Sequence, residues 1–269
     1  MNEILRVGVA GFGAIGRAVA ARLAEGIPGL RLAAVGARDQ AKARVALPRT
    51  AMPVAVVAGE ALAPLADIIV ECAPAAVLPA IAEPALRAGR TVVVLSCGAL
   101  LDNMHLVELA REHGGRILVP TGALLGLDAV IAAAEGKIHS VRMITCKPPA
   151  GLLGAPYLEQ QGISLEGLQE PLRVFEGSAR EAARGFPANL NVAVALSLAG
   201  IGPDRTRLEI WADPAVSRNT HSIEVESDAA RFSMRIENVP SDNPRTGRIT
   251  AQSVVALLRK MRSPLAIGT

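Results

Sequence analysis

Short apolar runs and amphipathic segments alternate along the first part of the chain. The apolar runs have the composition of buried strands: Leu5–Ala10, Leu32–Ala37, Val54–Val57, Asp67–Glu71, Thr91–Leu95 and Arg116–Val119. Between them, apolar residues recur at helical spacing over Ala14–Glu25, Ala75–Ala88 and Asn103–His113, and Gly89 follows the second of these helices as a C-terminal stop. This alternation predicts a doubly wound parallel sheet, an α/β fold, over residues 1–120.

The pattern changes near Pro120-Thr121-Gly122, and residues 121–245 are predicted to form a second, α+β domain with a mostly antiparallel sheet. Its predicted strands are Ile138–Lys147, Pro171–Glu176, Arg205–Ala212, Thr220–Glu226 and Arg231–Glu237, the last two joined as a hairpin through residues 227–230. Its predicted helices are Leu124–Glu135, Ser178–Gly185, which opens with the capping box Ser178-x-x-Glu181, and Ala188–Leu198. A final helix, Ile249–Met261 in residues 246–269, is expected to return to the first domain.

A glycine-rich turn, Gly11-x-Gly13-x-x-Gly16, lies between the first predicted strand and the first predicted helix. In this context Gly11 permits a tight turn, Gly13 lets backbone approach a pyrophosphate, and Gly16 lets the helix pack closely on the strand. The pyrophosphate would bind the free N–H groups at the helix N-terminus. We therefore predict a Rossmann-type dinucleotide-binding domain; the alternative is a glycine-rich turn that binds no ligand. The predicted cofactor contacts are Gly11, Phe12, Gly13, Ala14, Ile15 and Gly16.

The end of the second strand, Val35-Gly36-Ala37-Arg38-Asp39, bears on the choice between NAD and NADP. An NAD site usually has Asp or Glu there to bind the ribose hydroxyls. Gly36 or Ala37 stands in its place, and the guanidinium of Arg38 suits the 2′-phosphate of NADP. We predict NADP preference or the use of both cofactors. In the alternative interpretation, Arg38 is a solvated surface residue and Asp39 caps the next helix.

The composition argues against several classes of partner. Only 2% of the 269 residues are aromatic, and the net charge of +3 is scattered, so neither base stacking nor a basic tract indicates nucleic acid. No apolar run is long enough to span a bilayer, and no signal peptide precedes the first strand. The cysteines are Cys72, Cys97 and Cys146, with no CxxC spacing. We predict reduced thiols in a cytoplasmic protein and no metal site.

His221 is the histidine best placed for chemistry. His105 and His113 fall on a predicted surface helix and His139 opens a strand beside a turn, so structural roles are expected for these three. His221 follows the polar stretch Ser217–Thr220, and an imidazole with an unperturbed pKa of about 6.5 transfers protons near neutral pH. From spacing alone, a lone histidine is more often a satisfied core residue.

Two further segments are more polar than their surroundings. Asn189, in the segment 186–191, either caps the apolar helix that follows or binds a carboxamide. The segment 240–246 precedes the last helix and has turn chemistry, and its Arg245 is a candidate anion contact. Neither segment identifies a ligand by itself.

Several motifs occur in order along the chain. They are Thr121-Gly122-Ala123-Leu124-x-Gly126-x-Asp128, Lys147-Pro148-Pro149, Phe175-Glu176-Gly177-Ser178-Ala179, Phe186-Pro187-Ala188-Asn189-x-Asn191-Val192-Ala193, Leu198-Ala199-Gly200-Ile201-Gly202-Pro203-Asp204-Arg205-Thr206, Asn219-x-His221 and Asn238-x-Pro240-Ser241-x-Asn243-Pro244-x-Thr246. Together they resemble the L-aspartate dehydrogenase family. These motifs are far more specific than the glycine loop, which many unrelated oxidoreductases share.

The resemblance implies reversible oxidative deamination of L-aspartate to oxaloacetate and ammonia through iminoaspartate, with NAD or NADP as the hydride acceptor. It implies that His221 is the active-site acid/base and that Ala123 and Asn189 contact the cofactor. It also implies a homodimer. Two positions depart from the family. Thr121 replaces a common serine, and Cys97 replaces a small, valine-like residue, which would make the enzyme sensitive to thiol reagents if Cys97 lay near the nicotinamide.

The implied chemistry needs a proton-transfer group and partners for two substrate carboxylates. We assign the proton transfers to His221. The candidate carboxylate partners are Lys147, Arg205, Arg218 and Arg245, which the sequence does not rank.

Two other functions fit the same sequence. The first is another amino-acid or imine reductase of this architecture, such as a relative of homoserine dehydrogenase or dihydrodipicolinate reductase, because fold alone does not set function. The second is a non-catalytic sensor of nicotinamide nucleotides. A substrate panel separates the first from an aspartate dehydrogenase, and the second would bind cofactor without turnover.

Overall fold

The computed structural model describes residues 4–187, 190–241 and 247–268. These residues form two compact units. Unit 1 runs through Gly122 and includes residues 250–267, and unit 2 contains residues 123–249.

Unit 1 is built on a parallel sheet. Its strands are β1 (Leu5–Ala10), β2 (Leu30–Gly36), β3 (Ala55–Val57), β4 (Ile68–Glu71), β5 (Thr91–Val94) and β6 (Arg116–Leu118). Within the described residues they form one six-stranded sheet in the order β3-β2-β1-β4-β5-β6. This order confirms the predicted doubly wound sheet. It also puts a topological switch point at β1 and β4, where sheets of this type bind ligands.

Helices cover both faces of this sheet. They include α1 (Ala14–Glu25), α2 (Gln40–Val45), α3 (Leu78–Arg87), α4 (Cys97–Asp102) and α5 (His105–His113). Leu86 of α3 and Leu106 of α5 belong to the core on one face. Val19 of α1 belongs to the core on the other face, together with Val254 and Leu258 from the last helix of the chain. Burial on both faces explains why the strands are almost wholly apolar.

The differences from the predicted elements have local causes. α2 and α4 were not predicted, because six residues are too few to display a helical period. The predicted helix Ala75–Ala88 divides into a 3₁₀ turn, Ala75–Val77, and α3. Pro79 in the first turn of α3 favours this new helix start, because proline there sacrifices no helical hydrogen bond.

Unit 2 contains the second sheet. Its strands are β7 (Ile138–Lys147), β8 (Leu172–Ser178), β9 (Arg207–Ala212), β10 (Asn219–Ser227) and β11 (Arg231–Asn238). In the described part of the chain their order is β11-β10-β7-β9-β8. β7 and β9 pair in parallel, and the other neighbours are antiparallel. The mostly antiparallel sheet and the β10–β11 hairpin are therefore as predicted.

The helices of unit 2 are α6 (Leu127–Ala134), α7 (Pro156–Gln161), α8 (Ala179–Gly185) and α9 (Asn191–Ala199), and α10 (Ile249–Lys260) follows them. The predicted capping box is present, since the Ser178 hydroxyl accepts from the Glu181 N–H at 3.2 Å and the Glu181 carboxylate accepts from the Ser178 N–H at 2.7 Å. α7 was not predicted. Its Tyr157 ring packs against Phe175 and Phe186, with centroid distances of 5.2 and 5.4 Å. Among the described residues, no helix is both long and apolar enough to cross a membrane.

One face of the second sheet is buried. Along β7 the residues Val141, Met143, Thr145 and Lys147 are buried, while Arg142 between them is exposed. This is the period-2 pattern of a strand with one covered face. The buried face therefore changes from apolar at Val141 and Met143 to polar at the carboxyl end of β7.

Candidate active site

The glycine turn of unit 1 has the geometry that the sequence predicts. Gly11 follows β1 with φ +90, and a Cβ there would lie 2.6 Å from the carbonyl oxygen of Cys72. A Cβ at Gly16 would lie 2.0 Å from the carbonyl oxygen of Gly11, so only glycine lets α1 begin this close to the turn. Gly13 is the N-cap of α1, and a Cβ there would have no heavy atom within 4 Å. Neighbouring backbone therefore excludes a side chain at Gly11 and Gly16, whereas the space beside Gly13 is open.

A cavity of about 1010 Å³ adjoins this turn. Its walls follow the carboxyl ends of β1, β2, β3 and β4, as expected for a ligand site in a parallel sheet. The lining residues from these ends are Gly11, Phe12, Gly13, Gly36, Ala37, Arg38, Asp39, Ala58, Gly59, Glu60, Cys72, Ala73 and Pro74. The open approach at Gly13 and the N-terminus of α1 fit a dinucleotide pyrophosphate, which needs backbone N–H groups and no intervening side chain.

The other predicted contacts of the turn have different surroundings. Ala14 is the first residue of α1. Ile15 packs against the core of unit 1, and Gly16 is buried. The cavity walls thus come from Gly11, Phe12 and Gly13 of the predicted set, while Ile15 and Gly16 anchor the helix behind them.

The residues that follow β2 support part of each interpretation: Asp39 caps a helix, and Arg38 lines the cavity. The Asp39 carboxylate accepts a hydrogen bond from the Lys42 backbone N–H at 2.9 Å and so caps α2. Arg38 is exposed and lines the cavity together with the cationic side chains of Arg17 and Lys42. The carboxylates of Asp39 and Glu60 also line the cavity, so its charged residues are three cations and two anions.

Glu71 supports the turns beside the cavity and was missed by the sequence interpretation. It is the last residue of β4 and is fully buried. Its carboxylate accepts hydrogen bonds from the backbone N–H groups of Ala73 (2.9 Å), Leu95 (3.2 Å) and Ser96 (3.0 Å), and from the Ser96 hydroxyl (3.0 Å). Burial raises the pKa of Glu71, and these hydrogen bonds act against that rise. Glu71 thereby joins the turns that follow β4 and β5. An acidic residue ending an otherwise apolar strand was the available signal.

The cysteines are buried or half-buried, and all three are free. Burial and the nearby Glu71 carboxyl raise the pKa of Cys97 to about 12. Burial also raises the pKa of Cys72, which lines the cavity. A thiol is reactive as its thiolate, so these surroundings argue against ready modification of Cys97 by thiol reagents.

In unit 2, His221 lies at the polar end of the buried sheet face. The register of β7 and β10 places His221 opposite Thr145, and Nδ1 of the imidazole shares a hydrogen bond of 3.2 Å with the Thr145 hydroxyl. Lys147 lies two residues beyond Thr145 on the same face of β7, and Asn219 lies two residues before His221 on β10. Thr145, Lys147 and His221 are each at most 3% exposed. We call these three residues with Asn219 the polar cluster of unit 2.

Two ionisable groups in this cluster have displaced pKa values. Burial lowers the pKa of Lys147 to about 8. Burial and the positive charge of Lys147 lower the pKa of His221 to about 3. The pKa of His221 therefore lies below the near-neutral value expected from the residue type alone, because the buried face disfavours both cations.

The remaining candidates are dispersed. Arg205 and Arg218 are exposed, whereas Lys147 lies beside His221. The Ala123 carbonyl accepts a hydrogen bond from the Asn238 side-chain amide at 2.9 Å. Asn189 and Arg245 lie outside the described residues.

The other three histidines lie on the surface. His105, His113 and His139 are all exposed. The ring of His105 lies 3.1 Å from the Glu83 carboxylate. None of them has the buried polar surroundings of His221.

Family models match two successive parts of the chain. Residues 11–120 match the NAD-binding domain of homoserine dehydrogenase, and residues 128–261 match the C-terminal domain of aspartate dehydrogenase. Unit 1 is accordingly an NAD(P)-binding domain, and the polar cluster of unit 2 falls within the aspartate dehydrogenase match.

Individual relatives extend over nearly the whole chain. L-aspartate dehydrogenase 3 of Bordetella bronchiseptica is 61% identical over 269 residues, which cover 100% of this chain and 99% of that protein. L-aspartate dehydrogenase of Bradyrhizobium diazoefficiens is 60% identical over 265 residues, which cover 98% and 94%. The crystal structure of aspartate dehydrogenase from Thermotoga maritima has the same fold, with a TM-score of 0.72, 24% identity and coverage of 98% of this chain and 99% of that chain. The chain belongs to the L-aspartate dehydrogenase family.

Proposed function

We propose that this protein catalyses the reversible NAD(P)-dependent oxidative deamination of L-aspartate to oxaloacetate and ammonia, with iminoaspartate as the intermediate. The observation that carries this proposal is the buried polar cluster of unit 2, in which His221 bonds Thr145 beside Lys147, within the aspartate dehydrogenase match. The 60% and 61% identity to relatives named L-aspartate dehydrogenase supports aspartate as the substrate.

The reaction removes a hydride from the α carbon of aspartate and a proton from its amino group. The bound nicotinamide supplies the hydride-accepting chemistry. Water then adds to the imine carbon, the C–N bond breaks, and ammonia leaves with oxaloacetate. These steps require the protein to orient the substrate and to move protons at its nitrogen and at the attacking water.

We assign the proton transfers to Nε2 of His221, because Nδ1 faces the Thr145 hydroxyl. A neutral imidazole whose Nδ1–H donates to Thr145 has its Nε2 lone pair available to accept a proton from the attacking water. The imidazolium then returns a proton to the departing nitrogen. Thr145 acts as a positioning residue, since its hydroxyl holds the ring through Nδ1 and so orients Nε2.

We further propose how unit 1 holds the cofactor. The pyrophosphate binds at Gly11–Gly16, and Arg38 pairs with the 2′-phosphate of NADP; the exposed guanidinium of Arg38 in the cavity lining supports that choice. Ala123 and Asn189 contact the cofactor, as the resemblance implies. We also propose a cytoplasmic homodimer, consistent with three cysteines that remain free thiols.

The first test measures oxidation of NADPH and of NADH by the purified protein with oxaloacetate and ammonium, and the aspartate-driven reverse reaction in parallel. We expect turnover that requires both oxaloacetate and ammonium. Turnover with a different keto acid would favour another imine reductase. Cofactor binding without turnover of any amino or keto acid would favour the sensor.

A further inference from the structure

Lys147 and His221 form a buried pair of basic groups on one face of the unit 2 sheet. Both lie at the polar end of that face, where β7 ends and β10 begins. They are 3% exposed each, and the charge of one acts on the titration of the other. Such a pair is unusual in a protein interior, because burying a cation is costly and a second cation adds repulsion.

Asp213 is a charged neighbour of Lys147 in the described part of the chain, and its backbone and carboxylate have the following contacts. β9 presents Ala212 opposite Lys147, and Asp213 follows it. The Asp213 backbone N–H donates to the Lys147 carbonyl at 2.9 Å, and its carboxylate accepts from the Ala215 N–H at 2.8 Å. On β10, His221 is preceded by Thr220, which pairs with Cys146, and by Asn219, and both are uncharged. Burial disfavours the ammonium of Lys147.

An anionic ligand would favour the charged forms of Lys147 and His221, which burial disfavours. A carboxylate beside Lys147 stabilises the ammonium and cancels part of the repulsion that it exerts on His221. The same negative charge stabilises the imidazolium directly. A dicarboxylate would therefore bind most favourably while Lys147 is protonated, and its arrival would make His221 a stronger base.

We propose that Lys147 binds a carboxylate of the dicarboxylic substrate and that this contact prepares His221 for proton transfer. The inference rests on the proposed function and deepens it, because it selects one of the four basic residues considered from the sequence. It also explains how an imidazole that is neutral in the ligand-free protein becomes an effective acid/base only when substrate is present. Proton transfer is thereby confined to the occupied site.

A different role for Lys147 predicts the opposite pH dependence. If Lys147 accepted a proton from the substrate, its neutral form would be required, and substrate use would improve as pH rises through about 8. A carboxylate partner requires the ammonium form. Binding of a dicarboxylate should then weaken through the same pH range, by about tenfold for each further pH unit.

The experiment measures binding of succinate, a dicarboxylate that lacks the amino group and therefore undergoes no turnover, in the presence of NADP⁺. Calorimetry over about pH 6.5 to 9.5 compares the wild type with Lys147→Met, Lys147→Arg and the control Lys137→Met, an exposed lysine flanking the same strand. We expect Lys147→Met to raise the succinate Kd by about 30-fold or more near pH 7 and to remove its pH dependence. Lys147→Arg should still bind succinate, and its affinity should persist above pH 8, because arginine stays charged. Lys137→Met should match the wild type.

A second measurement follows the His221 imidazole by NMR, which keeps the inference testable if a Lys147 variant folds poorly. In the wild type, succinate should raise the pKa of His221, which burial and the charge of Lys147 hold low. Unchanged succinate affinity in a folded Lys147→Met variant, tighter binding above pH 8, or a His221 titration that ignores succinate would each overturn the inference. Lys147-dependent succinate binding without aspartate turnover would retain the site and reject the proposed reaction. Aspartate turnover with an unchanged KM in Lys147→Met would retain the proposed reaction and reject Lys147 as the carboxylate partner.

Discussion

Glu71 in unit 1 and Lys147 in unit 2 are both buried ionisable residues that end a β-strand. Their surroundings differ. The Glu71 carboxylate accepts four hydrogen bonds, three of them from backbone N–H groups of the turns after β4 and β5. Lys147 lies beside a second basic group, His221, and each cation is disfavoured where it stands.

The difference separates Glu71, an ionisable residue with a structural role, from Lys147, an ionisable residue with a role in the chemistry. Backbone donors around Glu71 are fixed by the fold, so that carboxylate stabilises the turn containing Cys72 and Ala73, which line the cofactor cavity. A pair of titratable groups whose charged forms are both disfavoured is a frequent feature of active sites. Substitution at Glu71 should therefore affect folding first, and substitution in the polar cluster should affect turnover first.

The largest expected effect is that of His221→Ala. Loss of the proton-transfer group should reduce turnover by about 10²-fold or more, while NADPH binding measured by fluorescence stays unchanged because unit 1 is intact. His139→Ala, at an exposed histidine of the same unit, is the matched control and should behave like the wild type. Near-normal turnover in His221→Ala would remove the assignment.

The comparison predicts a different outcome for Glu71→Ala. The change leaves three backbone N–H groups without their carboxylate acceptor in a buried setting, so we expect the free energy of unfolding to fall by about 3 kcal/mol or more. Urea denaturation measures this loss. Glu71→Gln keeps an acceptor oxygen and should lose less, and Glu112→Ala, on the exposed face of α5, should lose almost nothing. A Glu71→Ala protein as stable as the wild type but without turnover would instead make Glu71 a chemical residue.

The two sites also differ in how far the sequence predicts them. The glycine turn is contiguous, and its function depends on backbone geometry, so the spacing of Gly11, Gly13 and Gly16 was sufficient. The polar cluster depends on strand register, which brings together Thr145 and His221 from positions 76 residues apart. The residues alone left a structural role open for His221 and did not rank Lys147 among the candidate cations. Burial, which decides both pKa values, is a property of the packed sheet rather than of either motif.

The same contrast holds for secondary structure. β1, β7 and α1 have the predicted bounds, because long or strongly patterned segments carry a clear periodic signal. α2, α4 and α7, with six residues each, have too few turns to show one. Glu71 was interpreted only as the end of a strand, since its partners are backbone groups that no motif records.

The smallest expected effect concerns Arg38 and tests whether unit 1 contributes selectivity as well as binding. Arg38 follows the end of β2, and its exposed guanidinium lines the cavity, whereas the neighbouring Asp39 carboxylate accepts from the Lys42 N–H in the cap of α2. Arg38→Ala should lower kcat/KM for NADPH by about tenfold and leave the value for NADH nearly unchanged, because only NADP carries a 2′-phosphate. Arg87→Ala, an exposed arginine at the end of α3, is the control. Equal losses with both nucleotides would place Arg38 away from the 2′-phosphate, and a wild type that strongly prefers NADH would contradict the hypothesis before any substitution is made.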